Sequence, residues 1–467
     1  MIFKQFHLPS LGHASYLIGD EDSGQAIVLD PRRDVDCYFA EARQTGIRIV
    51  HAMNSHGHND YLSGLTELVA RHDIEMLALD NQDIGYAHQS VKDGDVIVLG
   101  SVAIEIRHTP GHTPEHFSLV IYDRSIGKEP AMLLSGGSIL VGDVGRPDLL
   151  GGREESEQMA KVACRTLERM LLELPDHLAV FPTHVKGSLC AGSIGSRLST
   201  TLGYEKKTNP TLIEIASSRN TCERGISLQD LPAVPPYWRR MRMQNMQGVE
   251  LLPLLREPPH LLPHDLEDSQ SEGAFVVDTR TPEAFGAAHI RGAINLPLGN
   301  MFSTWAGTVL PEGGRVVLIL DRPADLWETT WQLLRVGYDQ PVGWIDGVES
   351  WRSSGRALET LPSMTVHDLR TRLASGSLTL LDVRQPRERT ESRIDDSLFI
   401  TGAEVVARLE EIPQGKPVAV ICGGGYRSAV MASLLKNSSV LEVFNVAGGM
   451  SAWEASGYPV QSLSSWL

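Results

Sequence analysis

Pro-Val-Ala-Val-Ile-Cys-Gly-Gly-Gly-Tyr-Arg-Ser, Pro417 to Ser428, runs from an apolar stretch through a cysteine and three glycines into the helical pattern Ala-Val-Met-Ala-Ser-Leu-Leu. A short unalternating apolar run reads as a strand buried on both faces, hence part of a parallel sheet, and the helix behind it makes the unit α/β. The order predicts Cys422 at the strand end. There the backbone N–H groups of Gly423, Gly424, Gly425 and Tyr426, together with the positive end of the helix dipole, favour a thiolate or persulfide. The glycines are expected to leave the sulfur uncovered, with these residues and Ser428 forming the surroundings of a substrate. Arg427 can return its guanidinium to the loop or meet an anion. The bland alternative is a buried structural cysteine, the common fate of a lone thiol; the order strand, cysteine, glycine loop, helix favours the reactive reading.

Outward from this loop the sequence repeats itself. Phe-Val-Val-Asp-Thr-Arg (Phe275 to Arg280) matches Leu-Leu-Asp-Val-Arg (Leu380 to Arg384), and Val-Val-Leu-Ile-Leu-Asp (Val316 to Asp321) matches Pro-Val-Ala-Val-Ile-Cys. In that register Asp321 stands at the position of Cys422 and Leu326 at that of Arg427. A carboxylate cannot carry a sulfane sulfur, so the first copy reads as non-catalytic. Together with Ala-Gly-Gly-Met-Ser-Ala-Trp (Ala447 to Trp453), these segments resemble the rhodanese sulfurtransferases. The resemblance implies that Cys422 is the nucleophile, assisted by Arg427, and that the partners are thiosulfate and low-molecular-weight thiols and persulfides.

Four further loops bear His or Asp behind apolar strands: Asn-Ser-His-Gly-His-Asn-Asp-Tyr-Leu-Ser-Gly (Asn54 to Gly64), His108 to Pro114, Gly142 to Leu149 and Pro182 to Cys190. They resemble the metallo-β-lactamase fold, an αββα sandwich, and among its branches the persulfide dioxygenases. That branch holds one Fe(II) through two histidines and an aspartate. The resemblance carries the histidines to His56 and His112, but the aspartate falls on Gly137, and Tyr61 replaces a further histidine. Three readings stay open: a degenerate site without metal; a three-imidazole site of His56, His58 and His112 suited to zinc or Fe(II); or a carboxylate swinging in from Asp60, Asp143 or elsewhere. His184 and Asp60 are expected to orient neighbours and stand clear of any ion, Cys190 to be a small buried hydrophobe, and Arg146 and Lys186 to attract carboxylates of a thiol carrier.

The 467 residues suit about three domains. The expected division is a metallo-β-lactamase-like domain over 1–215, a Pro-rich connector over 216–261, a non-catalytic rhodanese-like domain over 262–358 and a rhodanese domain over 362–467, the last two with parallel sheets. A formal net charge of -16 argues against a nucleic-acid partner. No run reaches the roughly 18 apolar residues of a membrane span, and no leader pattern opens the chain. Five cysteines without paired spacing point to a reducing compartment, the cytoplasm. The function expected is sulfane-sulfur transfer coupled to a persulfide dioxygenase-like domain with a lost or altered metal site. The alternatives are a zinc-dependent thioester hydrolase and a non-catalytic scaffold for a sulfur relay. Oligomerisation stays open.

Overall fold

The computed structural model describes residues 1–80, 84–217, 221–229, 231–438, 440 and 442–462. It divides into two units, Met1–Leu254 and Leu255–Leu467.

In the first unit, alternation along the strands builds four layers. Tyr16 and Ile18 of the strand His13–Asp20 face a core shared with Leu119, Ile121 and Leu134 of a second sheet, while Leu17 between them faces Tyr38 and Leu68. On the second sheet Val120 and Leu133 point the other way, onto Ala163, Cys164 and Leu167 of the helix Arg153–Glu173. Period-2 side-chain direction therefore gives helices, sheet, sheet and helix in succession, the αββα sandwich. One sheet runs from Ile2–Leu8 through to Gln89–Val91 in chain order; the other orders Thr200–Thr201, Ala179–Pro182, Met132–Gly136, Phe117–Asp123, Val102–His108 and Val96–Leu99. The loops after Gln25–Leu29, Arg48–Met53, Val102–His108, Met132–Gly136 and Ala179–Pro182 carry the candidate ligands. The N–H of Ala14 donates to the carbonyl of Thr183 at 2.7 Å, tying the two sheets together beside them.

The Pro-rich stretch 216–261 belongs to the first unit up to Leu254. The helix Trp238–Gln247 buries Trp238 and Met241, and Asn245 donates to the carbonyls of His58 and Tyr61 at 2.8 and 2.7 Å. One expectation needs correction: the cysteines are not all unpaired. Cys164 and Cys222, 58 residues apart, form a disulfide between the helix Arg153–Glu173 and Thr221–Arg224, so cysteine usage no longer argues for a reducing compartment. Among the described residues no helix is long and apolar enough to cross a membrane.

The second unit holds two parallel sheets. The first orders Ile294–Asn295, Phe275–Asp278, Val316–Leu320 and Gly343–Asp346; the second orders Ser363–Met364, Val443–Val446, Val418–Ile421, Thr379–Asp382 and Leu398–Phe399. Each has an all-buried central strand, as the unalternating runs require. Each also carries the same buried ion pair behind its matching strand. Arg280 grips Asp278 through Nε and Nη2 at 2.9 and 2.5 Å, and Arg384 grips Asp382 at 3.0 and 2.8 Å. Removing one partner of such a pair costs about 3–5 kcal/mol because the other charge is left buried.

Candidate functional site

Cys422 ends the strand Val418–Ile421, and its sulfur accepts a hydrogen bond from the Gly425 N–H at 3.1 Å, with the Ser428 hydroxyl at 3.4 Å. Gly425 has φ +105°, a conformation that a side chain disfavours, and it leads directly into the helix Tyr426–Lys436. The expected nest is thus narrower than four N–H groups, and the sulfur is not uncovered, for Cys422 is 1% exposed. A second helix start packs against the same loop. The N–H groups of Met450 and Ser451 donate to the carbonyls of Cys422 and Gly423 at 2.8 and 3.0 Å, and a Cβ at Gly449 would collide with the Cys422 carbonyl.

Arg427 does return to the loop, held by Glu388 through a bidentate pair at 2.6 and 2.7 Å. Burial works against both charges. The pairing outweighs it, holding Glu388 below the usual carboxylate range and raising Arg427. The phenol of Tyr426 donates to the Pro297 carbonyl at 2.9 Å, fastening the loop to the first repeat. At the matching place in that repeat Asp321 is exposed, and the chain turns away through Pro323–Asp325 with Arg322 paired to Asp325 at 2.7 Å.

In the first unit the ligand atoms of His56, His112 and His184 lie within 4.8 Å of one another, and those of Asp60, His184 and Cys190 do likewise. Nδ1 of His56 meets Ser55 Oγ and Nδ1 of His112 meets the Arg146 carbonyl, both at 2.9 Å, which leaves both Nε2 atoms for the cluster. Nε2 of His184 stands 3.3 Å from Nε2 of His56. The expected trio changes: His58 has its Nε2 bound to Asp30 at 2.9 Å, and His184, expected to stand clear, supplies the third imidazole. Asp60 lies at the other nitrogen of that ring, 3.5 Å from Nδ1, and groups with His184 and Cys190 rather than with His56 and His112. Asp143 does not swing in, since it accepts from the N–H of Val144 and of Ser193. Arg146 is occupied by Asp148 at 2.7 and 2.8 Å rather than free for a substrate carboxylate.

Electrostatics fit this arrangement to a cation. Burial, then the neighbouring imidazoles, pushes the protonation of His56 and His112 well below the ordinary histidine value, so both are neutral ligands. Burial opposes charge on His184 and Asp60 too. Cys190 and Asp60 nevertheless raise His184 well above its usual value, and His184 holds Asp60 at about 2. This proton and this anion sit where a metal would replace the proton. Both Asp60 oxygens lack a hydrogen bond among the described residues, a costly arrangement for a buried carboxylate that a cation would relieve. Gly137 fits no carboxylate in this arrangement, because a Cβ there would collide with the His112 ring. Three imidazoles suit zinc at least as well as iron.

The family model for the rhodanese-like domain matches residues 262–354 and 365–456. A crystal structure described as a metallo-beta-lactamase from Staphylococcus aureus is 32% identical, covers 74% of this chain and 98% of its own, and superposes with a TM-score of 0.64. The chain belongs to the metallo-β-lactamase family. Its second half carries two rhodanese-like domains. Over 236 residues, 50% of this chain and 83% of the relative, it is 25% identical to "Persulfide dioxygenase ETHE1, mitochondrial" of Bos taurus. Over 173 residues, 36% of this chain and 61% of the relative, it is 32% identical to a hydroxyacylglutathione hydrolase of Polaromonas.

Four residues at the candidate sites of this metallo-β-lactamase-family chain escaped the motif reading in their present places: His184, Asp30, Glu388 and Gly449. Asp30 is buried at φ +53°, unusual for a non-glycine residue. It accepts from His58, Thr183 and both groups of Ser55. Burial opposes its ionisation, but these partners hold it well below the usual carboxylate range. The only sequence signal was an acid ending the apolar run Ala-Ile-Val-Leu-Asp.

Proposed function

We propose that the chain handles sulfane sulfur, with Cys422 as the transferring nucleophile. The observation that carries this reading is the Gly425 N–H donating to the Cys422 sulfur at a helix start, an arrangement that stabilises negative charge on sulfur. The thiolate attacks the outer sulfur of thiosulfate or a thiol persulfide; the donor S–S bond breaks, and sulfite or the donor thiolate leaves with the electron pair. An acceptor thiolate then attacks the outer sulfur of the Cys422 persulfide, which releases the Cys422 thiolate and forms the acceptor persulfide. Arg427, held by Glu388, keeps the loop in shape through both steps. Incubation with thiosulfate should add one sulfur to the peptide bearing Cys422, read by mass and removed by a thiol. Sulfur found elsewhere, or on no peptide, would refute the assignment.

The first unit has the donors of a metal centre in His56, His112 and His184. A bound cation there would supply Lewis-acid chemistry. His112 is oriented by the Arg146 carbonyl and His56 by Ser55, while Asp30 holds His58 beside them. The missing carboxylate at Gly137 favours zinc over Fe(II), so a zinc-dependent thioester hydrolase is the second reading beside persulfide oxidation. Metal analysis of the purified chain should give bound metal that His184→Ala removes and His58→Gln, which keeps a donor to Asp30, retains. Retention after His184→Ala would show that the ion sits elsewhere.

A further inference from the structure

The helix Trp238–Gln247 brings one face to the loop that bears His56 and His58. Trp238, Met241, Arg242 and Asn245 fall at helical spacing on that face, while Arg239 and Met243 turn away and are exposed. Donors of this face take up the carbonyls of the loop one after another. Nη1 of Arg242 donates to Gly57 at 2.9 Å, Asn245 to His58 and Tyr61 at 2.8 and 2.7 Å, and Tyr237, just ahead of the helix, to Asp60 at 3.1 Å.

Arg242 does more than hold one carbonyl. Its Nη1 and Nη2 also donate to the carboxylate of Glu115 at 2.9 and 3.0 Å, and Oε1 of Glu115 accepts the Gly57 N–H at 2.9 Å. The peptide group from His56 to Gly57 is thus held by Glu115, and the one from Gly57 to His58 by Arg242. Glu115 itself belongs to the loop that bears His112. One carboxylate therefore ties the His56 loop to the His112 loop, and one guanidinium locks both to the helix. The fit is close, for a Cβ at Gly57 would collide with Nη1 of Arg242 and Sδ of Met246.

Glu115 is 5% exposed. Burial opposes its charge, but the Arg242 guanidinium and the Gly57 N–H outweigh it and hold the carboxyl below the usual range. Against apolar residues of the same volume a buried ion pair is often neutral for stability. What apolar side chains would not supply is the fixed direction of these hydrogen bonds to the peptide groups beside His56.

We propose that Arg242 and Glu115 are positioning residues of the imidazole cluster, setting the spacing of His56 from His112 so that both Nε2 atoms converge on one cation. The cation rests on the metal reading of the first unit; the spacing of the two rings does not.

The test uses the full chain and zinc. Competition with a chromogenic chelator should give a zinc Kd that Arg242→Met raises by about tenfold or more, as expected when an outer partner of metal ligands is removed. Arg242→Lys keeps a positive charge beside Glu115 but cannot span both carboxylate oxygens and the Gly57 carbonyl. It should raise the Kd less, with melting close to that of the unchanged chain. With Co(II) in place of zinc, both variants should show an altered ligand-field spectrum, which a loss of stability alone would not produce. In the metal-free chain carrying nitrogen-labelled histidine, the ring signals of His56 and His112 should move in both variants while those of His289 in the second unit stay. Unchanged zinc affinity and Co(II) spectrum in Arg242→Lys would overturn the proposal, and so would His56 and His112 signals indifferent to both substitutions. If the unchanged chain binds no zinc while those signals move as described, the metal reading falls and the positioning role stands.

Discussion

The two rhodanese-like repeats share a sheet order, a buried central strand and a buried Asp–Arg pair, yet only one has a site around sulfur. They part within a few residues after the central strand. In the second, Gly425 turns at positive φ so that its N–H meets Cys422; in the first, Pro323–Asp325 carry the chain away from an exposed Asp321. The clamp is absent from the first repeat as a pair: by register Leu326 stands for Arg427, and Ala284 for Glu388. Joint loss of both partners avoids an unpaired charge near the core, where a single loss would be expensive. The same framework thus stands with and without a cysteine site because framework and site depend on different residues.

The sharpest way to break this comparison is Cys422→Ser, which should reduce sulfur transfer to background while Asp321→Ala leaves it unchanged, both measured as thiocyanate formed from thiosulfate and cyanide. Transfer that survives the first change or vanishes with the second would mean the repeats were assigned the wrong way round.

Next in size come the shared frameworks. Asp278→Asn and Asp382→Asn each leave a buried arginine without its counter-charge, and each should cost about 3–5 kcal/mol in the repeat that holds it. Thermal melts should show comparable losses for the two; a neutral Asp278→Asn would show that the first repeat no longer relies on the inherited pair.

Glu388→Gln tests what the second repeat has alone. Loss of the bidentate charge pair should loosen the loop and lower kcat/KM by about tenfold, roughly the 1.4 kcal/mol expected for a partly buried charged hydrogen bond. Melting of the first repeat should stay as it was.

The smallest effect is on pH. Glu388 is held below its ordinary value in the folded chain, so its stabilisation is fully present above the unfolded carboxyl pKa of about 4.3 and is lost as pH falls through the lowered folded value. The wild-type chain should therefore lose stability faster than Glu388→Gln below about pH 4.3. Parallel acid-denaturation curves for the two would show that the pair contributes nothing in solution.

Local sequence carried the architecture far. The unalternating runs Val316–Leu320 and Val418–Ile421 and the loops bearing His56, His112 and Cys422 declare their elements through side-chain period and turn chemistry alone. The exchange of Cys422 for Asp321 and the loss of a carboxylate at Gly137 were legible as well, because each is a matter of residue identity at one position in a register.

Tertiary structure decided what lies beside what. Only the folded chain puts His184 with His56 across a separation of 128 residues, turns His58 toward Asp30, closes Cys164 onto Cys222, and seats the helix Trp238–Gln247 under the His58 loop. It also ties the Cys422 loop to Met450 and Ser451 and sets Asn295 of one repeat beside the loop of the other. The physical reason is that period and propensity act over a few neighbouring residues. Ligand geometry, burial and charge pairing instead depend on side chains brought together from distant segments, with their directions fixed by the packing of the sheets that carry them.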